Sequence, residues 1–243
     1  MSKKTISIIG AGEFGRFIVQ YLTPEFDVSI LDPYQDLSDI ECTPLSSIVG
    51  VAQADFILLA VPVKAMDAVC ADLKPHIKSG QTIIELASVK MIPRDILKRS
   101  FGGMDGVNLL GVHALFGPTS GKNGIEGLNV TVSDIVGDKF DAVYGFLEKL
   151  NLNITVCTAE EHDQQMAYVQ GLTHLLAKTF NEMDIPEIFL TTKTYDLLDQ
   201  MWKTIRDDSD DLFDLIQSQN PYVSDVREKF LKITHEIDNR YRD

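Results

Sequence analysis

The stretch TISIIGAGEFG, residues 5–15, runs from a short β-rich apolar segment into a turn with glycines at positions 10, 12 and 15. The segment EFGRFIVQYL that follows has helical spacing of its apolar residues, so the glycines sit where a strand passes into a helix. That context gives each glycine a task. Gly10 permits the tight turn, Gly12 lets the backbone approach a pyrophosphate drawn to the helix N-terminus, and Gly15 allows helix and strand to pack closely. Glu13 and Phe14 lie between them at the mouth of the turn. The next apolar run ends in Leu31-Asp32, which places a carboxylate 22 residues after Gly10, able to accept from both ribose hydroxyls of an adenosine. Asp32 predicts NAD rather than NADP, because a 2′-phosphate would face that carboxylate and the following Pro33-Tyr34-Gln35 supplies no arginine. Val61 and Pro62, ending a later apolar run, are expected beside the same cofactor.

Outward from this turn the alternation continues. Candidate strands are Thr5–Ile9, Asp27–Leu31, Phe56–Val61, Thr82–Leu86, Val107–Val112, Leu128–Val132 and Asn153–Val156. Helical stretches lie near Glu13–Leu22, Lys64–Leu73, Pro93–Arg99 and Lys139–Leu150. Strands alternating with helices predict an α/β fold, a Rossmann-type doubly wound and mostly parallel sheet. After Thr158 the β signal ends. Thr158-Ala-Glu-Glu161 fits a capping box, and helices are expected near Glu160–Met183, Pro186–Arg206, Asp211–Gln217 and Pro221–Arg240. The expected organisation is a nucleotide-binding domain over residues 1–157 and a smaller all-helical domain over 158–243.

Composition narrows the function classes. The chain has 243 residues, 44% hydrophobic and 24% charged, which is an ordinary globular balance. Its formal charge of −14 repels nucleic acid and anionic lipid, so neither is an expected partner. Cys42, Cys70 and Cys157 have no metal-type spacing and read as reduced thiols, pointing to the cytoplasm. No metal site is expected, and no apolar run is long enough to span a bilayer.

In a doubly wound sheet the ligand crevice lies at the carboxyl ends of the strands. Two apolar runs deliver polar groups there: TIIEL runs into Ala87-Ser88-Val89-Lys90, and VNLLGV runs into His113-Ala-Leu-Phe-Gly-Pro118. A histidine in that position suits removal of an alcohol proton as hydride departs, since its ordinary pKa near 6.5 keeps it basic around neutrality. Ser88 is placed to hold the hydroxyl or orient the imidazole, and Lys90 to bind an anionic group.

The ordered run of GAGEFG, ELASVK, HALFGPTSG and EEHDQQMAYVQGLTHLLA resembles the prephenate dehydrogenase family, most closely the bacterial type otherwise fused to chorismate mutase. The resemblance extends from Ile6 to about Asp214. It implies NAD-dependent oxidative decarboxylation of a cyclohexadienyl acid, prephenate or arogenate, and a homodimer formed through the helical domain. It places the catalytic histidine on His113, with Ser88 and Lys90 nearby, and brings His162 towards the substrate from the second domain. Two departures stand out. Ala114 follows His113 where the family has proline, and the family's substrate arginine falls near Tyr195-Asp196, so that Asp196 meets the substrate with a carboxylate. Lys193, Lys203 or Arg206 are then candidates to replace the cation, and an amino-bearing substrate becomes the alternative. A non-enzymatic reading, an inactive NAD-binding dimer, stands beside both. His174 and Trp202 are expected to be structural. With no domain-sized segment before Thr5 or after the helices, no fused mutase or added regulatory domain is expected.

Overall fold

The computed structural model describes residues 3–242. The chain divides into two compact units, Met1–Ala159 and Glu160–Asp243.

The first unit is built on one eight-stranded sheet. Its strands are β1 (Lys4–Ile9), β2 (Phe26–Leu31), β3 (Thr43–Pro44), β4 (Phe56–Leu59), β5 (Thr82–Glu85), β6 (Asn108–Ala114), β7 (Asn129–Val136) and β8 (Asn153–Val156). Their spatial order is β3-β2-β1-β4-β5-β6-β7-β8. Every neighbouring pair is parallel except β6 with β7. The order reverses between β1 and β4, which puts the crevice of a doubly wound sheet at the end of β1.

Central strands buried on both faces read as continuous apolar runs, and FILL in β4 shows the pattern. Register sorts alternate residues onto two faces. Ile6, Ile8, Val28, Ile30, Phe56, Leu58, Ile84, Leu110 and Val112 join one apolar cluster. Helix α1 (Glu13–Leu22) covers it with Val19 and Leu22, and α5 (Phe140–Lys149) with Val143 and Leu147. The chain winds one way from β1 to β3 and the other way from β4 onward. Right-handed crossovers therefore send α3 (Val63–Leu73) and α4 (Met91–Phe101) to the opposite face. That face carries Ile57, Leu59 and Ile83, and also Glu85, Gly111 and His113.

Three features depart from the sequence reading. Strand β7 is antiparallel to β6, so β6 extends to Ala114 and His113 lies inside a strand instead of following one. Two short elements, β3 and α2 (Ile48–Val51), were not expected. In the second unit the helix expected from Pro186 begins only at Lys193. Asp184 adopts φ 48°, which ends the preceding helix, and the Thr192 hydroxyl caps the new one by accepting from the Tyr195 N–H.

The second unit consists of α6 (Ala159–Glu182), α7 (Lys193–Ile205), α8 (Asp210–Gln219) and α9 (Val223–Asp238). Helix α6 starts directly after Thr158. Ser209 caps α8, and Asp210 and Asp211 occupy its first turn, where negative charge complements the helix dipole. Ala167, Val223 and Val226 form a small buried cluster, and Val223 packs against Gly171, where an added Cβ would come within 3.1 Å of it. Trp202 is half-buried, edge-on to Phe180, with its indole N–H donating to Asn181. Among the described residues no helix is long and apolar enough to cross a membrane.

Candidate active site

The glycine turn is held from two sides. The Gly10 N–H donates to Leu31 O at 3.0 Å, and the Ala11 N–H donates to Asp32 Oδ2 at 2.7 Å, tying the turn to the end of β2. Asp32 Oδ1 accepts from the Tyr34 N–H, so both carboxylate oxygens are already oriented. Each oxygen retains a further lone pair for a hydroxyl donor.

Gly10 has φ 101°, and a Cβ there would lie 2.4 Å from Ala60 O and 3.2 Å from Val61 Cγ1. The ends of β1 and β4 therefore touch through this residue, with Val61 against the turn and the exposed Pro62 as the N-cap of α3. At Gly15 a Cβ would meet Gly10 O at 2.4 Å. Gly12 is different: a Cβ there meets nothing within 4 Å. The protein itself does not require a glycine at position 12, whereas a phosphate approaching the N-terminus of α1 would. The donor set and the open approach thus fit a dinucleotide. Glu13 is exposed in the first turn of α1, and Phe14 is half-buried beside Phe17. The loop after β6 folds onto the same helix, with Phe116 edge-on to Phe17 and Gly121 against it. Strand β6 and the glycine turn therefore share one edge of the sheet.

His113 is 4% exposed and pairs in register with Thr131 of β7. Val112, before it, points into the apolar cluster, so the imidazole projects from the other face. Gly111, Glu85 and Ser133 occupy that same face. The hydroxyls of Thr131 and Ser133 are buried with no hydrogen-bond partner, which marks the neighbourhood of His113 as polar and incompletely satisfied.

Ser88 is half-buried in the turn between β5 and α4. Lys90, read from sequence as an anion-binding cation, is fully buried and its ammonium is engaged within the protein. It donates to Glu85 Oε1 at 2.7 Å and to Ala87 O at 2.5 Å. A substrate anion reaching Lys90 would have to compete with Glu85 at close range.

The sequence reading did not single out Glu85, Gly111, Thr131 or Ser133. Glu85 had a signal: it is the one charged residue in the run TIIEL, and a carboxylate ending a buried strand requires a partner.

The remaining proposed residues belong to the second unit. His162 is buried in α6, its Nδ1 2.8 Å from Asp163 Oδ1, and the Asn220 amide donates to the Asp163 carbonyl. Asp196 is exposed in the first turn of α7, where a carboxylate favours the helix dipole without any ligand. Of the cations proposed to replace the arginine, Lys203 pairs with Asp199 and Arg206 with Asp207, and Lys193 is the first residue of α7. His174, expected to be structural, lies 3.2 Å from Asp208.

Burial pushes the Cys70 thiol up to about 12 and also raises that of Cys42, so neither is a ready nucleophile at neutral pH. Among the described residues no group of three or more His, Cys, Asp or Glu side chains is arranged to hold a metal ion.

Comparison with known proteins agrees with this architecture. Residues 37–131 match the family model described as prephenate dehydrogenase, nucleotide-binding domain. A Methanocaldococcus jannaschii protein named "probable arogenate/prephenate dehydrogenase" is 28% identical over 251 aligned residues, covering 96% of this chain and 56% of that protein. Arogenate dehydrogenase 1 of Arabidopsis thaliana is 21% identical, covering 94% of this chain and 38% of its own length. The alignments cover between 38% and 66% of the length of these and similar curated relatives, 56% and 38% for the two named. Prephenate dehydrogenase from A. aeolicus, solved with hydroxyphenyl propionate and NAD+, shares the fold with a TM-score of 0.74 at 18% identity, covering 98% of this chain and 91% of that one. Synechocystis arogenate dehydrogenase shares it with a TM-score of 0.69 at 14% identity, covering 98% and 93%. The family-model match lies within the sheet unit, and the two curated relatives carry arogenate or prephenate dehydrogenase names.

Proposed function

We propose that the chain is a cytoplasmic NAD-dependent dehydrogenase that oxidatively decarboxylates prephenate to 4-hydroxyphenylpyruvate. The observation that carries this reading is the position of His113: buried, on the polar face of β6, in the same unit and at the same sheet edge as the cradle formed by Gly10, Gly12, Gly15 and Asp32.

In this mechanism Asp32 receives the adenosine ribose, while the N-terminus of α1, opened by Gly12, receives the pyrophosphate. NAD, when bound, supplies the hydride acceptor. Ser88 holds the ring hydroxyl of the substrate. His113 accepts the hydroxyl proton as hydride leaves the same carbon, and the ring becomes a dienone. The ring carboxylate then departs as CO₂, the electrons of its carbon–carbon bond enter the ring, and the ring becomes aromatic. Burial around His113 excludes water and strengthens each polar contact. His162, whose Nδ1 is held by Asp163, is proposed as a substrate-binding residue.

Two observations favour a second reading with arogenate as substrate. Asp196 presents a carboxylate, which pairs with an amino group, and the ammonium of Lys90 is held by Glu85. We further propose a homodimer through the helical unit, supported by its exposed apolar residues Ile188, Phe189 and Leu190.

The test is turnover by purified protein with NAD and either acid. NADH together with 4-hydroxyphenylpyruvate supports the first reading, and NADH with tyrosine from arogenate supports the second. NAD binding with turnover of neither acid overturns both.

A further inference from the structure

Glu85 ends β5 with its side chain 0% exposed, yet the proposed chemistry gives it no part. Its two carboxylate oxygens act on different atoms of the turn that follows. Oε1 accepts from Lys90 Nζ at 2.7 Å, and Oε2 accepts from the Ala87 N–H at 3.0 Å. Lys90 closes the loop by donating to the Ala87 carbonyl. The peptide groups on both sides of Ala87 are thus tied to one ion pair, and the next residue is Ser88.

The neighbouring strand makes room for this clamp. Gly111 pairs with Glu85 in register, and a Cβ at position 111 would lie 2.6 Å from Glu85 Oε1 and 3.2 Å from Lys90 Cδ. Both polar side chains therefore lie across the bare backbone of β6, two residues before His113 on the same face. A buried ion pair is a poor source of net stability, because desolvation offsets most of its attraction, but it fixes geometry strongly.

We propose that Glu85 is a positioning residue: acting through Lys90 and Ala87, it sets the turn that presents Ser88 next to His113. The proposal rests on the dehydrogenase reading above and adds to it a residue that touches neither substrate nor cofactor.

A double-mutant cycle tests it, using Glu85→Gln, Lys90→Met and the double variant in the full chain. If Glu85 acts through Lys90, each single change lowers kcat/KM about tenfold or more, and the double variant is no worse than Lys90→Met alone. A merely structural role would leave kcat and KM intact in protein that remains folded. Losses that multiply in the double variant, or wild-type kinetics in folded Glu85→Gln, overturn the proposal. Should a single variant fail to fold, Gly111→Ala probes the clamp from β6. It is expected to lower kcat/KM, and wild-type kinetics in it overturn the proposal. If wild-type protein turns over neither acid, the functional reading fails separately. The cycle is then read in thermal unfolding: singles that melt lower than the double support the clamp, and additive shifts overturn it.

Discussion

In the amino-terminal unit Ile8, Ile30, Ile57 and Ile83 are completely buried, whereas in the carboxy-terminal unit Phe189 is 89% and Leu190 79% exposed. No residue of α7 is buried. The sheet unit covers its apolar residues with its own helices, and its proposed site residues take their places from strand register. His113 faces Thr131, and Glu85 lies beside Gly111, because backbone ladders put them there. The helical unit has a small apolar cluster of buried residues in Ala167, Val223 and Val226, and leaves long side chains facing outward. The difference teaches that one unit buries its apolar residues within itself, while the other leaves several of them at its surface.

The contrast is sharpest for the residues proposed to meet the substrate. His113→Asn is expected to lower kcat/KM by about 10²–10⁴-fold with NAD affinity preserved, as steady-state kinetics and calorimetry would show. Asp196→Asn, in the helical unit, should shift the preference between prephenate and arogenate without removing turnover. A comparable loss of turnover from both would erase the distinction between the units.

Next in size is backbone strain in the sheet unit. Gly10→Ala places a side chain at φ 101° and 2.4 Å from Ala60 O. A urea melt should show at least about 1–3 kcal/mol of lost stability. Asp32→Ser should weaken NAD about tenfold and narrow its advantage over NADP, measured by competitive titration.

Association tests the helical unit. Phe189→Ser with Leu190→Ser is expected to convert a dimer to monomers in sedimentation, leaving the melting of the sheet unit in place. A wild-type monomer at working concentration would remove the proposed role for those residues.

The smallest effect concerns acid. The Arg16 guanidinium, hydrogen-bonded to Asp39, holds that carboxyl below its ordinary 3.8. Asp36 is also lowered, first by the Ser38 N–H and hydroxyl. A carboxylate depressed on folding contributes stability above its unfolded pKa and loses it as pH falls through the folded value. Arg16→Met should therefore flatten slightly the loss of stability below about pH 4, with the change small because these groups are exposed.

Much of this fold was legible in the residues. Helix Glu13–Leu22 and strand Asn153–Val156 have the limits expected, because periodicity and turn residues mark both ends. Pairing direction was not legible: the residues of β7 are β-rich whichever way the strand runs, so the antiparallel ladder that places His113 inside β6 had no local signal. Nor was the start of α7, since the break depends on a left-handed Asp184 and a threonine cap. The glycine turn and its neighbour Asp32 were readable as a strand-to-helix turn from spacing. The engagement of Lys90 was not, because it requires knowing that Glu85 and Gly111 are neighbours across two strands.

Asp32 carries one consequence beyond recognition of a ribose. The oxygen that would greet the adenosine is also the anchor for the Ala11 amide. An engineer exchanging this single acid to admit a phosphorylated coenzyme would at the same stroke unfasten the glycine turn proposed to receive the diphosphate. A successful swap must therefore bring a second substitution that re-ties that amide, because one carboxylate serves both the proposed ribose contact and the shape of the loop.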